Sequence, residues 1–184
     1  MQQIKSFLNN RIEVCIGDIT TLSIDAIVNA ANSSLLGGGG VDGAIHRAAG
    51  PSLLEECRQL RSSHYPNGLS TGEAVITKAG NLPSKHVIHT VGPIYNPNDP
   101  AMPELLASCY TTSLTLAAEH KLTVVAFPAV STGVYGYPKS KAANIASDAV
   151  IAFLKKNAFP QKVIFVFFKT KDADIFLDNA GFPQ

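Results

Sequence analysis

Asp42 and His46 lie four residues apart, and a carboxylate and an imidazole in this arrangement are suited to acid–base chemistry. They lie within residues 41–49, a run of small and apolar residues ended by Gly50 and Pro51, and this pattern predicts a helix. Residues four apart on a helix share a face, so the carboxylate and the imidazole could orient or deprotonate a water at the mouth of a pocket. A simple capping or packing pair would show the same spacing.

Four consecutive glycines, residues 37–40, precede this helix. Glycine lets the backbone approach a ligand closely, and the free N–H groups of a helix N-terminus attract an anion. The carboxylate of Asp42 would oppose an anion there, and such a cost indicates chemistry rather than binding alone. A flexible surface loop is the alternative, although it is less common between a buried strand and a helix.

Two nucleotide-binding motifs are excluded around these glycines. Residues 38–43 formally match G-x-G-x-x-G, but the glycines lie several residues beyond the strand, and Glu55 and Glu56 fall on a predicted helix rather than at a strand end. No lysine follows the glycines, which excludes a Walker A loop.

A buried strand is predicted over residues 25–30, because Ile27 and Val28 are β-branched and no charge interrupts the run that follows Asp25. Asn29 and Asn32 lie at its carboxyl end, where open α/β sheets bind their ligands. The glycines and Asp42 follow directly, so the strand would deliver all of these groups to one edge of a sheet.

A second glycine-bearing loop, S-T-G-V-Y-G at residues 131–136, lies between a predicted buried strand and a predicted helix. Its exposed N–H groups could form a nest for phosphate oxygens, although an ordinary connecting loop with a helix cap is equally consistent with the residues. Two such loops at strand ends would suit a pyrophosphate.

Two further positions have a simpler structural interpretation. Asp18 follows a strand pattern at residues 11–16 and reads as a turn or capping residue. Phe168 ends the last predicted strand, residues 163–168, and by itself reads as a core residue.

Neither a metal site nor covalent catalysis is predicted. His86 and His89 are three apart on a predicted strand and face opposite ways, and His89 reads as an interior histidine with its hydrogen bonds satisfied. No H-E-x-x-H, no paired cysteines and no Gly-x-Ser-x-Gly elbow occur. We therefore expect no metal and no cofactor, and no cysteine or serine nucleophile.

Composition limits the remaining possibilities. The 184 residues fit a single domain, 1–184, and 46% apolar residues suffice for a full core. A net charge of +1 gives no sign of the basic surface that binds a nucleic-acid polymer. We interpret the lysines at 139, 141, 155 and 156 as parts of solvent-exposed helix faces. No signal peptide or membrane span is expected, and three separated cysteines suit a reduced, cytoplasmic protein with buried thiols.

The remaining chain alternates predicted strands with predicted helices, which indicates an α/β sheet covered on both faces. The further strands are predicted over residues 74–79, 86–91 and 124–130, and the further helices over 52–60, 103–120, 138–157 and 172–179. Strand order and direction are not readable from these patterns.

The motifs together resemble the macro domain family, specifically its MacroD-type branch of ADP-ribose hydrolases. The resemblance rests on I-V-N-A-A-N with G-G-G-G-V-D-G-A-I-H-R-A-A-G at residues 27–50, G-D-I-T at 17–20, V-I-H-T-V-G-P at 87–93 and S-T-G-V-Y-G-Y-P at 131–138. It extends from about residue 12 to about residue 168. It implies a three-layer α/β/α sandwich with a mixed central sheet.

The resemblance also implies roles for individual residues. Asp18 and the backbone of Ile19 would hold adenine, Phe168 would pack on it, and Tyr135 would lie along the distal ribose. Asn32 would bind a distal ribose hydroxyl, and Asp42, supported by His46, would activate a water. The diphosphate would be held by Gly39, Gly40 and Val41 on one side and by Ser131, Thr132, Gly133 and Val134 on the other.

The implied activity is hydrolysis of esters on the distal ribose, in O-acetyl-ADP-ribose or in mono-ADP-ribosyl groups on acidic side chains of proteins. The water could instead be activated by the substrate's own phosphate, with Asp42 only positioning it. A non-catalytic ADP-ribose-binding module and an ADP-ribose 1″-phosphate phosphatase are alternatives, although non-catalytic modules often lack the Asn32 and Asp42 pair.

Overall fold

The computed structural model describes residues 1–182, so the last two positions of the expected domain, 183 and 184, lie outside the described residues. Its sheet is formed by the strands β1 (Gln2–Phe7), β2 (Ile12–Ile16), β3 (Ala26–Ala31), β4 (Ala74–Lys78), β5 (His86–Val91), β6 (Val124–Phe127) and β7 (Lys162–Phe167). Its helices are α1 (Gly40–Ala49), α2 (Pro51–Ser63), α3 (Met102–Glu119), α4 (Lys139–Lys156) and α5 (Thr170–Asn179).

The seven strands form one mixed sheet in the order β1-β2-β7-β6-β3-β5-β4. The five inner strands are parallel to one another, whereas β1 and β4 pair antiparallel at the two edges. Parallel strands bring their carboxyl ends to one edge of a sheet. The segments after β2, β3, β5, β6 and β7 therefore meet there.

Two layers of helices cover the sheet. Helices α1 and α2 pack on one face through Ile45, Leu53 and Cys57, and α3, α4 and α5 pack on the other through larger sets that include Leu106, Val150 and Phe176. Inner strands such as β7 are buried on both faces, which explains why they are continuous apolar runs.

The expected three-layer α/β/α sandwich with a mixed central sheet is confirmed, and most predicted elements lie within a few residues of their expected bounds. The sequence analysis missed β1, because its residues are largely exposed and show no clean alternation. It also extended the sixth strand too far, since residues 128–130 already leave the sheet. None of the helices in residues 1–182 is long and apolar enough to cross a membrane.

Candidate active site

A cleft of about 800 Å³ opens at the carboxyl edge of the parallel strands. Every parallel strand of the sheet contributes residues to its lining, through the segments that follow β2, β3, β5, β6 and β7. All the predicted ligand-binding residues line it, namely Asp18, Ile19, Asn32, Gly39, Gly40, Val41, Ser131, Thr132, Gly133, Val134, Tyr135 and Phe168. Asp42 lines it as well, but His46 does not.

The carboxylate of Asp42 lies beneath the glycine loop, with 5% of the residue exposed. Asn29 Nδ2 donates a hydrogen bond to Asp42 Oδ1 at 2.7 Å. The other oxygen, Oδ2, faces Gly38, where a Cβ would lie 3.0 Å from it. The two carboxylate oxygens thus have different environments, one held from the protein interior and one on the side of the cleft.

Asn32 approaches the same point from the end of β3. A Cβ on Gly38 would also lie 3.2 Å from Asn32 Nδ2, so the amide and Asp42 Oδ2 converge on the Gly38 Cα. A Cβ at this position would push against both groups, whereas the glycine leaves room for them. The two predicted site residues are therefore neighbours in space although ten residues separate them.

The Asn32 side chain also holds the loop that follows it. Its Oδ1 accepts hydrogen bonds from Ser34 N at 3.0 Å and from Ser34 Oγ at 2.5 Å, and its Nδ2 donates to Gly37 O at 3.1 Å. A primary amide has two N–H donors. Among residues 1–182 the Asn32 amide donates one hydrogen bond, so its second N–H is available to a ligand hydroxyl.

Burial raises the pKa of Asp42, and the Asn29 hydrogen bond and the charge of His46 oppose that rise. Desolvation by the surrounding protein is thus the main cause of the raised proton affinity of this carboxylate.

His46 lies behind Asp42 rather than at the mouth of the pocket, which corrects the expected position. Its Nε2 is 3.4 Å from Asp42 Oδ1, and the contact lacks the geometry of a hydrogen bond. The imidazole ring packs under Gly37, where a Cβ would meet it at 3.7 Å. Because His46 is one turn further along α1, the carboxylate stands between it and the cleft.

The glycine loop ends at the N-terminus of α1 with free donors. The first backbone bond of the helix runs from Gly43 N to Gly39 O, so the N–H groups of Gly40, Val41 and Asp42 have no acceptor within the helix. A Cβ on Gly39 or Gly40 would meet nothing within 4 Å, which leaves open space above the loop. The arrangement is suited to phosphate oxygens.

The loop after β6 presents a second set of donors on the opposite side of the cleft. Its ends are fixed by Tyr137 N donating to Ser131 O at 3.0 Å and by Tyr95 N donating to Tyr135 O at 2.8 Å. Within residues 1–182, the N–H groups of residues 132–135 form no backbone hydrogen bond. Ser131 holds a positive φ of 63°, a conformation that turns the backbone of this loop.

Asp18 caps a short 3-10 turn, which confirms the turn interpretation, and it also lines the cleft. Its Oδ1 accepts from Thr20 N at 2.9 Å and from Thr20 Oγ1 at 2.7 Å. Both bonds use the same oxygen, which leaves the second oxygen for a ligand. Ile19 beside it is 5% exposed and also lines the cleft.

Phe168 is not a core residue, although its sequence position alone suggested one. It follows the end of β7 and is 79% exposed, and it stands at the cleft with Lys169 and Asp172. Val134 across the cleft is fully exposed as well. Large apolar side chains that are exposed at the rim of a cleft are available to a ligand.

The three cysteines are free and buried. Burial raises the pKa of the Cys57 thiol to about 12 and that of Cys109 to about 11, which keeps both protonated at neutral pH and unreactive as nucleophiles. The expected buried thiols are confirmed.

The expectation that no set of metal-ligand side chains exists is wrong in one place. His46 from α1, Cys57 from α2 and His89 from β5 bring potential ligand atoms within 4.8 Å of one another. Their sequence spacing gave no signal, because three separate elements supply them. However, both ring nitrogens of His89 already have protein partners, Asn29 and Thr77.

Sequence reasoning misplaced one contributor and missed two. Asn29 was expected at the ligand edge with Asn32, but it is fully buried in β3 and binds Asp42. Gly38 separates the side chains of Asn32 and Asp42, and nothing in the sequence distinguished it from the other three glycines of the run. Lys139 was read as part of a solvated helix face, yet it lines the cleft and pairs with Asp172 at 2.6 Å.

Comparison with known proteins agrees with this architecture. The family model for the Macro domain matches residues 28–146. The O-acetyl-ADP-ribose deacetylase of Escherichia coli K12 is 51% identical over 169 residues, which cover 92% of this chain and 94% of that protein. The ADP-ribose glycohydrolase MACROD2 of Xenopus laevis is 53% identical over 99% of this chain and 43% of its own length. The chain belongs to the macro domain family.

Solved structures extend the comparison to the cleft. The Oceanobacillus iheyensis macrodomain with ADP superposes with a TM-score of 0.86 at 48% identity, covering 91% of this chain and 88% of that chain. The Trypanosoma brucei macrodomain in complex with ADP-ribose gives 0.83 at 42% identity, covering 92% and 68%. The O. iheyensis protein has also been solved with an asparagine, a glycine or an aspartate replaced, and these positions have the same spacing as Asn32, Gly39 and Asp42.

Proposed function

We propose that this protein is a hydrolase that binds ADP-ribose and cleaves esters on its distal ribose. Its substrates would be O-acetyl-ADP-ribose and mono-ADP-ribosyl groups on acidic side chains of proteins. The observation that carries the proposal is the divided environment of Asp42, whose Oδ1 is held by Asn29 while Oδ2 faces the cleft beside Asn32.

The cleft offers a place for each part of ADP-ribose. Adenine would lie between Phe168 and Asp18, whose free carboxylate oxygen would accept from the adenine amino group. The diphosphate would lie between the N-terminus of α1 and the loop of residues 131–135, both of which present free N–H groups. Tyr135 would then flank the distal ribose, and Asn32 would donate to one of its hydroxyls.

Asp42 would act as the general base at the far end of the ligand. A water held by Oδ2 would give its proton to the carboxylate and attack the acyl carbon of the ester. The bond between that carbon and the ribose oxygen would break, and the proton on Asp42 would pass to the leaving oxygen. The products are ADP-ribose and a carboxylic acid. The step as written uses water and Asp42 alone, without a metal or a cofactor.

The relatives support this chemistry. The E. coli protein with 51% identity is an O-acetyl-ADP-ribose deacetylase, and the X. laevis protein is an ADP-ribose glycohydrolase. This chain retains the asparagine, glycine and aspartate at the spacing found in the O. iheyensis macrodomain. ADP-ribosylated proteins are the proposed macromolecular partners, and three free, buried thiols suit a reducing cytoplasm.

The test is an assay on two substrates. The purified protein is incubated with O-acetyl-ADP-ribose and with a mono-ADP-ribosylated protein, without added metal, and free ADP-ribose is followed. ADP-ribose 1″-phosphate is assayed in parallel for phosphate release. We expect ADP-ribose from the two ester substrates. Tight binding of ADP-ribose without turnover would make the protein a binding module, and phosphate release alone would make it a phosphatase.

The control is Asp174→Ala. Asp174 is an exposed carboxylate on α5 that does not line the cleft, so its loss should leave the rate unchanged.

A further inference from the structure

A line of buried polar side chains crosses the sheet behind Asp42. Thr77 on β4 is 3% exposed, and His89 on β5 and Asn29 on β3 are fully buried. These strands are neighbours, and the three side chains occupy the face that α1 and α2 cover, among apolar residues. Burying polar groups there is costly unless each is satisfied by a partner, so the line calls for a functional explanation.

The donors and acceptors along this line can be assigned from its end at Asp42. Asn29 approaches Asp42 Oδ1 at 2.7 Å, and only the amide nitrogen can face a carboxylate oxygen at that distance. The second N–H of the same nitrogen then points to His89 Nδ1 at 3.2 Å, which must accept.

His89 therefore carries its proton on the other ring nitrogen. Burial lowers the pKa of His89 to about 3, so the ring is neutral and has one N–H. With Nδ1 accepting from Asn29, Nε2–H donates to Thr77 Oγ1 at 3.0 Å. The Thr77 hydroxyl in turn points to Val87 O at 3.4 Å. Donation therefore runs from Asn29 through His89 and Thr77 to the backbone carbonyl of Val87, while the other N–H of Asn29 donates to Asp42. This order leaves a single orientation of the Asn29 amide.

We propose that His89 and Thr77 are positioning residues for Asp42. Thr77 fixes the Nε2–H tautomer of His89, that tautomer fixes the Asn29 amide, and Asn29 holds Oδ1 so that Oδ2 faces the cleft. The inference rests on the proposed function, because it assigns these residues to the reaction in which Asp42 is the base. Neither residue lines the cleft, so neither contacts the substrate.

The same cluster admits a competing assignment. His46, Cys57 and His89 are close enough to hold a metal ion, and Cys57 Sγ lies 3.9 Å from His89 Nε2. A metal on His89 Nε2 would remove the proton that this nitrogen gives to Thr77. The tautomer of His89 therefore separates the two assignments.

The first measurement is made on the unaltered protein and does not depend on activity. Long-range ¹H–¹⁵N NMR of the histidine rings distinguishes the two neutral tautomers and the charged form. We expect a neutral His89 with its proton on Nε2 throughout the neutral range. A proton on Nδ1, or bound zinc on Nε2 that a chelator removes, would overturn the proposal even if the protein proves to be an active hydrolase.

The second measurement uses Thr77→Val, which keeps the shape of the side chain and removes the acceptor for His89 Nε2–H. We expect kcat to fall roughly 10-fold with ADP-ribose affinity unchanged, because a small misplacement of a reacting group is costly and the substrate does not contact Thr77. Thr77→Ser keeps the hydroxyl and should restore the rate. Thr90→Val is the matched control, because Thr90 is equally buried but bonds Glu73 O on the other face of the sheet.

A pH profile separates positioning from loss of fold. The titratable groups that face Asp42 are His46 on its own helix, Cys57 of α2 and His89 of β5. Weakening the Asn29 bond in Thr77→Val removes an interaction that favours the ionised carboxylate, so the acid limb of the rate should move to higher pH. A folded Thr77→Val protein with the wild-type kcat and the wild-type acid limb would overturn the proposal.

Discussion

Asp42 shows how one carboxylate can be both anchored and available. Its Oδ1 is bound by Asn29, and its Oδ2 stands beside Asn32 Nδ2 at the floor of the cleft. An anchored side chain loses little freedom when it meets a water, and this favours attack in a fixed direction. The burial that anchors it also raises its pKa, so the residue suits a base better than an ordinary surface aspartate would.

At the scale of this residue, replacing the base should separate binding from rate. We expect Asp42→Ala to bind ADP-ribose as tightly as the wild type or more tightly, because a charge near the diphosphate is removed. Hydrolysis should fall roughly 10²–10⁴-fold, the usual contribution of a general acid–base group. Calorimetry and single-turnover rates on O-acetyl-ADP-ribose give the two numbers. Near-normal turnover would assign activation of the water to the substrate's phosphate.

The pH dependence follows from the same residue. The folded pKa of Asp42 is above the 3.8 of an ordinary aspartate, so the acid limb of kcat/KM should be centred above that value. Rising pH should increase the rate through this group but lower its contribution to the stability of the fold. The contribution of Asp42 to stability is full below the unfolded pKa and is lost as pH rises through the raised folded pKa. Rate profiles and thermal melts of the wild type and of Asp42→Asn measure both, and an acid limb at or below 3.8 would contradict the expectation.

Asp18 allows a clean test of adenine recognition, because its two oxygens have separate roles. Asp18→Asn keeps an oxygen to cap the turn at Thr20 but replaces the second oxygen with an N–H donor. We expect its melting temperature to stay at the wild-type value while ADP-ribose affinity falls by about 1.5–3 kcal/mol, the worth of a hydrogen bond to a charged group. Asp18→Ala would lose both the cap and the affinity. Unchanged affinity in calorimetry of Asp18→Asn would leave Asp18 a turn residue only.

At the scale of elements, the loop between β3 and α1 acts as one unit. Asn32 holds its first half through Ser34 and Gly37, and α1 presents free N–H groups at its end. Gly38 lies between the amide of Asn32 and the carboxylate of Asp42, so the loop sets the distance between the two. The four glycines are therefore not equivalent.

Gly38→Ala should lower the rate through geometry alone. Its Cβ would lie 3.0 Å from Asp42 Oδ2 and 3.2 Å from Asn32 Nδ2, so these groups must give by a few tenths of an ångström. A displacement of about 1 Å at a reacting centre can cost about 10²-fold, and for this smaller displacement we expect a fall of roughly 10-fold in single-turnover rate. Gly39→Ala meets no neighbour and should melt like the wild type, which controls for the substitution itself. A wild-type rate in Gly38→Ala would show that the loop can accommodate the Cβ without displacing Asp42 or Asn32 from their working positions.

At the scale of the whole molecule, the cleft exists because five parallel strands end at one edge of the sheet. No single segment holds the ligand site, since adenine, diphosphate and distal ribose would contact loops after different strands. The same convergence beneath the cleft brings together His46, Cys57 and His89 from α1, α2 and β5.

We expect activity without a metal ion, because both ring nitrogens of His89 already have protein partners. Dialysis against a chelator should leave the hydrolysis of O-acetyl-ADP-ribose unchanged. Metal analysis of the purified protein gives an independent reading that does not rest on the assay. Activity that is lost on dialysis and returns with zinc or magnesium would contradict the prediction.

The sequence alone determined most of the local structure. Continuous apolar runs such as β7 and the glycine-ended helix α1 were predictable, because their patterns depend on neighbours within a few residues. The glycine loop with Asp42 and the S-T-G-V-Y-G loop also identified the two halves of the site, since glycines between strand and helix have a local physical meaning. The three-layer sandwich followed from the resemblance to the macro domain family.

Contacts between distant segments could be seen in the folded chain alone. It placed Asn29 on Asp42, turned His46 away from the cleft, left Phe168 outside the core and added β1 to the edge of the sheet. Each of these depends on how distant segments pack against one another. Sequence periodicity reports which face of an element is buried but not what lies against it, so contacts between α1 and the strands beneath it could not be predicted from the pattern.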